Sequence, residues 1–460
     1  MGAFSSSDYN SYLLSIKLSH YDENKIRENI DKIAKELNDM DINKDENKYL
    51  ILSCIYGAFL GDSIGSFCEF KHPSNSNHLL IFNYNKDEHI FLPGEVTDDS
   101  EMAISLAFAY IDSINEDPSK TQDLIYFYFC IWAHSSPKDM GNATVNALKS
   151  WKYNSIEETK FNLEYVKKKN IKSLANGFLM RISPFIAYYY YKNLDNIKNT
   201  IEEYFKSGKY NDNELTDEMM NLLQDIYCES SKSTQVTHPN YENAVSSSVF
   251  ALMTLAGIVM KNASHIYILF KRISSSKKFD DFCNKEKDDN IVKSDIQSKY
   301  LEIINDIENN KEIKVNKQIG YYIHAFKLSV YYIYKYPEMG VNEDKDLYYK
   351  IMCDICDYGG DTDTNCAIVG TLIGPLIGYK NFKKELFDKF IKYIPKKRSQ
   401  FNSAFMYIYV NYLEEQIISK KNGINEENQK NDPKKRKFKY TTKKKLEEFF
   451  GKTTKQWGII

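Results

Sequence analysis

Little in this sequence offers an easy assignment. Its 460 residues include three tryptophans, eight cysteines and a formal net charge of −2. A chain so close to neutral is not, taken whole, a binder of nucleic-acid polyanions. The cysteines are scattered, and Cys353-x-x-Cys356 is the one C-x-x-C spacing. Without a second pair it makes no four-thiolate zinc site, and one turn of helix produces the same spacing. All eight are expected to be reduced thiols in an intracellular protein. The polar N-terminus does not read as a secretory signal. No apolar run is expected to span a bilayer; Ala367–Tyr379 comes nearest, but it is short and contains Pro375. No convincing period-two alternation runs between about Leu50 and Ile417, which argues against a sheet, and there is no obvious internal repeat.

What the sequence does have is helical patterning over a length that can bury a substantial core. Hydrophobic residues at 42% and charged residues at 27% fit a soluble globular protein. The expected fold class is all-α, a compact helical domain over about 49–418. Polar N-terminal helices and a charged linker precede it over 1–48, and a basic tail follows over 419–460. The stretch 271–314, rich in Lys, Asp, Glu, Asn and Ser, reads as a polar surface insertion. Ile51, Ile55, Phe59 and Ile64 recur at helical spacing in a segment interrupted by Gly57, Gly61 and Gly65. Gly370, Gly374 and Gly378 fall every fourth residue on one helix face, as expected for close helix packing or an apposed ligand.

Two acidic helix starts share one chemistry. Gly359-Gly360-Asp361-Thr362-Asp363-Thr364-Asn365 sets two carboxylates and two hydroxyls behind a pair of glycines that let the backbone turn sharply. Oxygen ligands of this kind suit Mg²⁺, Mn²⁺ or Ca²⁺; an ordinary N-cap fits the residues too. Thr97-Asp98-Asp99-Ser100-Glu101 opens a second apolar helix, and Asp98-x-x-Glu101 reads as a capping box. One capping residue is enough for a helix, however, and adjacent carboxylates raise each other's pKa unless a cation neutralises them. Glu69 stands at the exit of an apolar run, as a solvated helix end or a functional acid. Gly141 opens a helix whose free N–H groups suit a phosphate. Thr237-His238-Pro239 reads locally as a turn or core histidine.

Five segments together resemble the ADP-ribosylglycohydrolases, relatives of the bacterial dinitrogenase-reductase-activating glycohydrolases. They are Gly57–Glu69 (GAFLGDSIGSFCE), Gly94–Met102 (GEVTDDSEM), Asn176–Pro184 (NGFLMRISP), Thr237-His238-Pro239 and Gly359–Gly378 (GGDTDTNCAIVGTLIGPLIG). The resemblance covers about Leu50 to Ile417. It implies an orthogonal helical bundle with two Mg²⁺ ions (Mn²⁺ as the variant), held by Thr97, Asp98 and Asp99 on one side and Asp361, Asp363 and Thr364 on the other. It also implies that Glu69 is a catalytic or gating acid, backed by Asp99 or Asp363. Gly141, Ser173, Asn176, Gly177 and His238 would contact the diphosphate, distal ribose or adenosine. The chain departs from the family pattern at Ala175, where glycine is usual, and at Leu174, where some members carry an aromatic. The implied activity is removal of ADP-ribose from modified proteins. GGDTDTN points toward arginine linkages, whereas the GSF-x-E pattern at Gly65–Glu69 points toward serine-linked or poly-ADP-ribose. A non-catalytic ADP-ribose reader or a clamp-tethered scaffold is the alternative.

The termini carry separate signals. Gly2 with Ser6 fits the N-myristoylation pattern. Lys420-Lys421 and Lys434–Lys437 have the spacing of a bipartite nuclear import signal, or form a solvated basic tail. Lys443-x-x-Leu446-x-x-Phe449-Phe450 resembles a sliding-clamp docking motif with Lys in place of its usual leading Gln. A short amphipathic helix folded back on the domain is the other reading. Nuclear placement is favoured over cytoplasmic.

Overall fold

The computed structural model describes residues 23–421, apart from 70–89, 152–157, 211–213, 286–294, 342–343, 115, 209, 316 and 397. Gly2, Lys434–Lys437, Leu446, Phe449 and Phe450 therefore lie outside the described residues.

Eighteen α-helices and no sheet are present among the described residues, so the fold is all-α as expected. In chain order they are α1 (Glu23–Asp39), α2 (Glu46–Gly65), α3 (Asp98–Ser113), α4 (Thr121–Ala133), α5 (Asn142–Leu148), α6 (Leu163–Asn170), α7 (Ser183–Lys192), α8 (Leu194–Lys206) and α9 (Asp217–Thr234). There follow α10 (Tyr241–Met260), α11 (Ala263–Ser275), α12 (Lys277–Lys285), α13 (Ile296–Glu308), α14 (Tyr322–Lys335), α15 (Leu347–Tyr358), α16 (Thr362–Ile377), α17 (Lys384–Ile391) and α18 (Phe405–Lys421). An isolated antiparallel bridge joins Ala175 to Tyr321.

Helices with one apolar stripe lie outside and helices apolar all round lie inside, as burial requires. In α1, Ile26, Ile30, Ile33 and Leu37 are buried along a single face. From Tyr49 to Gly65, α2 is buried at every position, and so is α16 throughout. The 20 residues of α10 correct one expectation from the sequence: this helix is long and apolar enough to cross a membrane, yet 89% of its apolar window is buried inside the bundle. Its apolarity on every face is that of a helix enclosed by other helices. Several starts are fixed locally. Thr216 accepts from Met219 N at 3.2 Å, Asn240 from Glu242 N at 2.9 Å, and Asn262 from His265 N at 3.2 Å.

The α2–α16 pair forms the most extensive helix contact in the molecule. Its backbones meet at glycines, so the small residues serve packing. A Cβ on Gly370 would sit 2.1 Å from the Gly57 carbonyl oxygen, and one on Gly65 would sit 2.4 Å from that of Thr362. Two side chains close the seam: Tyr348 donates to Gly57 O at 2.5 Å and Thr362 Oγ1 donates to Gly65 O at 2.8 Å. The described part of 271–314 is more deeply engaged than its polarity indicates, because Ile296, Tyr300, Ile303 and Ile307 of α13 bury one side of the helix. Buried Glu242 of α10 binds this region through Lys299 at 2.5 Å and accepts from Tyr322 at 2.8 Å.

Because the carbonyls at the seam are backbone atoms, an added methyl forces the helices apart. Gly370→Ala is expected to lower the stability by about 1–3 kcal/mol or more, the usual cost of overpacking. Urea unfolding of the variant checks this, and an unchanged midpoint refutes the tight seam.

Candidate metal centre and active-site cavity

The site starts from a carboxylate within the central helix. Asp62 of α2 is fully buried and directed at the first turn of α3. Thr97 N donates to both of its oxygens at 3.1 Å, Ser100 N donates at 3.2 Å and Ser100 Oγ at 2.5 Å. Asp62 thus satisfies N-terminal donors of α3 that would otherwise need a local cap. Locally, Thr97 is the N-cap: its Oγ1 accepts from Asp99 N at 3.3 Å and lies 3.1 Å from Asp99 Oδ2. The capping box expected from Asp98 and Glu101 does not form. Glu101 instead pairs with Arg398 through two bonds of 2.6 and 2.7 Å and accepts from Trp132 Nε1 at 2.9 Å.

The second acidic start is no ordinary cap either. Asp361 occupies the N-cap position of α16 but makes no side-chain capping bond. Gly359 and Gly360, with φ of 69° and 78°, turn the chain into this position. Asp361 Oδ2 accepts from Asn176 Nδ2 at 2.7 Å. The two starts converge at Thr364 Oγ1, 3.4 Å from Asp99 Oδ2. From the turn after α2, Glu69 completes the group: single carboxylate oxygens of Glu69, Asp361 and Asp363 all lie within 4.8 Å of one another.

So many acids in one place are unfavourable without a counter-charge. Burial, then Asp361, Asp139 and Asp98, push the Glu69 pKa up to about 8. Burial and neighbouring carboxylates raise those of Asp98, Asp99 and Asp363 well above the usual range. Burial also lifts Asp62 to about 7, against the lowering effect of its hydrogen bonds. Asp99 Oδ1 and Glu69 Oε2 are buried without a hydrogen-bond partner among the described residues. Oxygen-only donors, excess negative charge and orphaned carboxylate oxygens fit a hard divalent cation.

A cavity of about 280 Å³ opens beside this cluster. Glu69, Asp98, Asp361, Asp363 and Thr364 line one end, while Thr97 and Asp99 are not among the lining residues. The other walls contain all five residues expected to touch a ligand: Gly141, Ser173, Asn176, Gly177 and His238. Hydrogen bonds to backbone carbonyls hold the segments that carry them. Asn176 N donates to Gly320 O at 2.9 Å, Asn243 Nδ2 to Ser173 O at 2.9 Å, and Asn170 Nδ2 to Ala143 O at 2.6 Å and Thr237 O at 2.9 Å. Gly177 is required by close approach, since a Cβ there would lie 2.9 Å from His238 Cε1. Burial and the nearby Arg181 charge lower the His238 pKa to about 3, so the ring is neutral.

Two acids were not singled out from the sequence. Asp62 had a readable signal, a carboxylate in the middle of an apolar helix. Asp139 lines the cavity and raises Glu69 and Asp98, yet nothing local separates it from a surface loop acid.

The raised pKa values set the sign of one prediction. Glu69 titrates near 4.5 when unperturbed and near 8 in the fold. Between those values the folded state holds more protons than the unfolded one, so cation-free stability falls as pH rises. The melting temperature of chelator-treated protein should therefore drop from about pH 5 to about pH 8, with added divalent cation restoring it most at the upper end. Melting curves independent of both pH and cation would overturn this account of the cluster.

Comparison with known proteins finds relatives of this chain. A family model described as ADP-ribosylglycohydrolase matches residues 43–404. A protein of Acanthamoeba polyphaga mimivirus named as an ADP-ribosyl glycohydrolase is 26% identical over 332 residues, covering 70% of this chain and 86% of its own. Among solved structures, one called an ADP-ribosylglycohydrolase-related protein complex aligns with a TM-score of 0.48 and 14% identity, covering 81% of this chain and 99% of that one.

Proposed function

Since the chain belongs to the ADP-ribosylglycohydrolase family, a metal-dependent family of glycosidase-type hydrolases, we propose that it removes ADP-ribose from modified proteins by cleaving the glycosidic bond at the proximal ribose. The observation that carries this reading is the meeting of two acidic helix starts, 265 residues apart at Asp99 and Thr364, beside a cavity that also holds Glu69. The acidic end is suited to a sugar's vicinal hydroxyls and the opposite walls to the rest of a dinucleotide-like ligand.

Thr97, Asp98 and Asp99 with Asp361, Asp363 and Thr364 would hold two Mg²⁺ ions, or Mn²⁺. When bound, the ions would supply Lewis acidity to the ribose hydroxyls and to an attacking water. The remaining chemistry belongs to the chain. Glu69 sits within reach of the Asp361 and Asp363 carboxylates, at the edge of the proposed ion site. It can take a proton from the attacking water or deliver one to the departing arginine nitrogen or serine oxygen. As the C1″ bond to the acceptor breaks, positive charge grows on the sugar, and the surrounding carboxylates favour that charge. Asn176 holds Asp361 in orientation through its 2.7 Å bond. Arginine linkages and serine or poly-ADP-ribose linkages both remain within this chemistry. Nuclear import through Lys434–Lys437 and clamp docking through Leu446, Phe449 and Phe450 are supported by tail sequence alone.

Defined arginine-, serine- and poly-ADP-ribosylated substrates, assayed with and without Mg²⁺, test the proposal. Wild-type protein should release ADP-ribose from at least one of them in a Mg²⁺-dependent manner. Asp363→Ala should abolish turnover and weaken cation binding. Glu69→Gln should lower kcat by about 10²–10⁴-fold, as expected for loss of a general acid or base. Circular dichroism would establish that both variants fold. Full activity in Asp363→Ala sinks the assignment, and tight ADP-ribose binding without hydrolysis of any substrate would favour a reader.

A further inference from the structure

Arg181 is a buried cation for which the chemistry above has no use. It is 1% exposed and forms no ion pair among the described residues. Its guanidinium lies 4.4 Å over the Phe129 ring, and Nη1 is 3.3 Å from Met102 Sδ. Its shortest bond runs from Nη2 to Thr237 Oγ1 at 2.6 Å, with a longer one to Ser233 O at 3.4 Å. A buried guanidinium is expensive to keep, and it is seldom spent on a threonine hydroxyl. That hydroxyl is in turn 2.7 Å from His238 Nδ1.

The order of donors along this chain follows from chemistry. Arginine has no acceptor, so Thr237 Oγ1 must accept from Arg181. The hydroxyl could also accept from an Nδ1–H, but its own proton has no other acceptor among the described residues, so every proton in the chain is satisfied when Thr237 donates to an unprotonated His238 Nδ1. The proton of the neutral ring is left on Nε2. His238 lines the cavity, and its Cε1–Nε2 edge lies against Gly177, where a Cβ would stand 3.3 Å from Nε2. Nε2 has no hydrogen-bond partner among the described residues, so its N–H is available to a ligand in the cavity.

We propose that Arg181 and Thr237 are positioning residues that lock His238 as its Nε2–H tautomer, giving the cavity a fixed donor, backed by a buried positive charge, for an anionic phosphate oxygen of the ligand. The ligand half of this rests on the reading of the cavity as an ADP-ribose site; the tautomer half does not. The donor lines the same cavity as the carboxylates, so the cavity offers acids for cation and sugar and a neutral N–H donor for phosphate. Because the other tautomer would leave the buried Thr237 proton without an acceptor, the donor is set before the ligand arrives.

The test is made on the full-length protein labelled with ¹⁵N-histidine, with His238→Gln used to assign the signal. At neutral pH the wild-type His238 should show the Nε2–H pattern in long-range ¹H–¹⁵N correlation spectra. Thr237→Val keeps the side-chain shape but removes the relay; it should give mixed tautomers and weaken ADP-ribose binding by about five- to tenfold, the value of one hydrogen bond. Thr237→Ser, which retains the hydroxyl, should restore both. The corresponding kinetic change in Thr237→Val should fall on KM more than on kcat. An Nδ1–H pattern in the wild type, or an unchanged tautomer in Thr237→Val, overturns the lock. Unchanged ADP-ribose affinity in a Thr237→Val variant whose tautomers are mixed overturns the ligand role. Wild-type protein that does not bind ADP-ribose removes the reading of the site, and with it the ligand half, while the spectra still decide the tautomer.

Discussion

The close approach of α2 and α16 is the constraint on which the site depends. Helices separated by side chains normally keep their axes 8–10 Å apart. Here glycines let one backbone rest on the other, and a single methyl at Gly65 would meet the Thr362 carbonyl. Thr362 opens the helix that carries Asp363 and Thr364, while α2 ends four residues before Glu69. The packing that buries α2 and α16 therefore brings Glu69 and the second acidic start together. Asp62 extends the same control to α3: from inside α2 it binds Thr97 N and Ser100 N, so α2 positions the first acidic start as well. Three chemical elements distant in sequence are indexed to one rigid helix. Motifs on rigid elements hold geometry better than motifs on loops.

The hydrogen bonds also divide the acids by task. A helix start needs its free N–H groups satisfied, and an acid that satisfies them has fewer lone pairs for anything else. Asp62 takes that work for α3 from outside the helix. Asp361 is relieved in a different way, because it forms no side-chain cap and is instead oriented by Asn176. The residues near the cavity thus keep carboxylate oxygens in reserve, as the orphaned Asp99 Oδ1 and Glu69 Oε2 demonstrate. Such oxygens are costly in a protein that holds no cation and are satisfied in one that does. The site is built at the expense of the cation-free state.

Much of this was legible in the sequence, for identifiable reasons. The two Thr/Asp clusters were conspicuous because each contains more acids than a helix cap needs, and helical spacing without strand alternation gave the fold class. The glycine spacing at Gly370 and Gly374 predicted close packing, now located against Gly57 and Ser53. Legibility failed where function depends on what is opposite. Glu101 read as half of a capping box because its partner Arg398 is 297 residues away. The polar stretch 271–314 concealed the buried side of α13, since a few isoleucines at helical spacing are faint among many charges. Asp139 resembled any surface acid until the fold set it beside Glu69. Arg181 sat within a matched segment, and its bond to the Thr237 hydroxyl, 56 residues away, could not be read in one dimension.

The two ends of the cavity follow opposite electrostatic rules. At the acidic end, like charges are gathered until an ion is required, so binding there is conditional on a cation. At the His238 wall, one positive charge is buried behind two neutral groups, and nothing need be added for the donor to form. A formal charge placed directly in the cavity would attract the acidic cluster's own carboxylates and collapse onto them. Held behind Thr237 and over Phe129, the guanidinium keeps its field while Nη2 is engaged by Thr237 and Ser233. On the proposed reading, contacts made to phosphate at His238 would not change as the glycosidic bond breaks. The interactions that would strengthen with developing charge are those of the acidic cluster, and only such differential binding can accelerate a reaction.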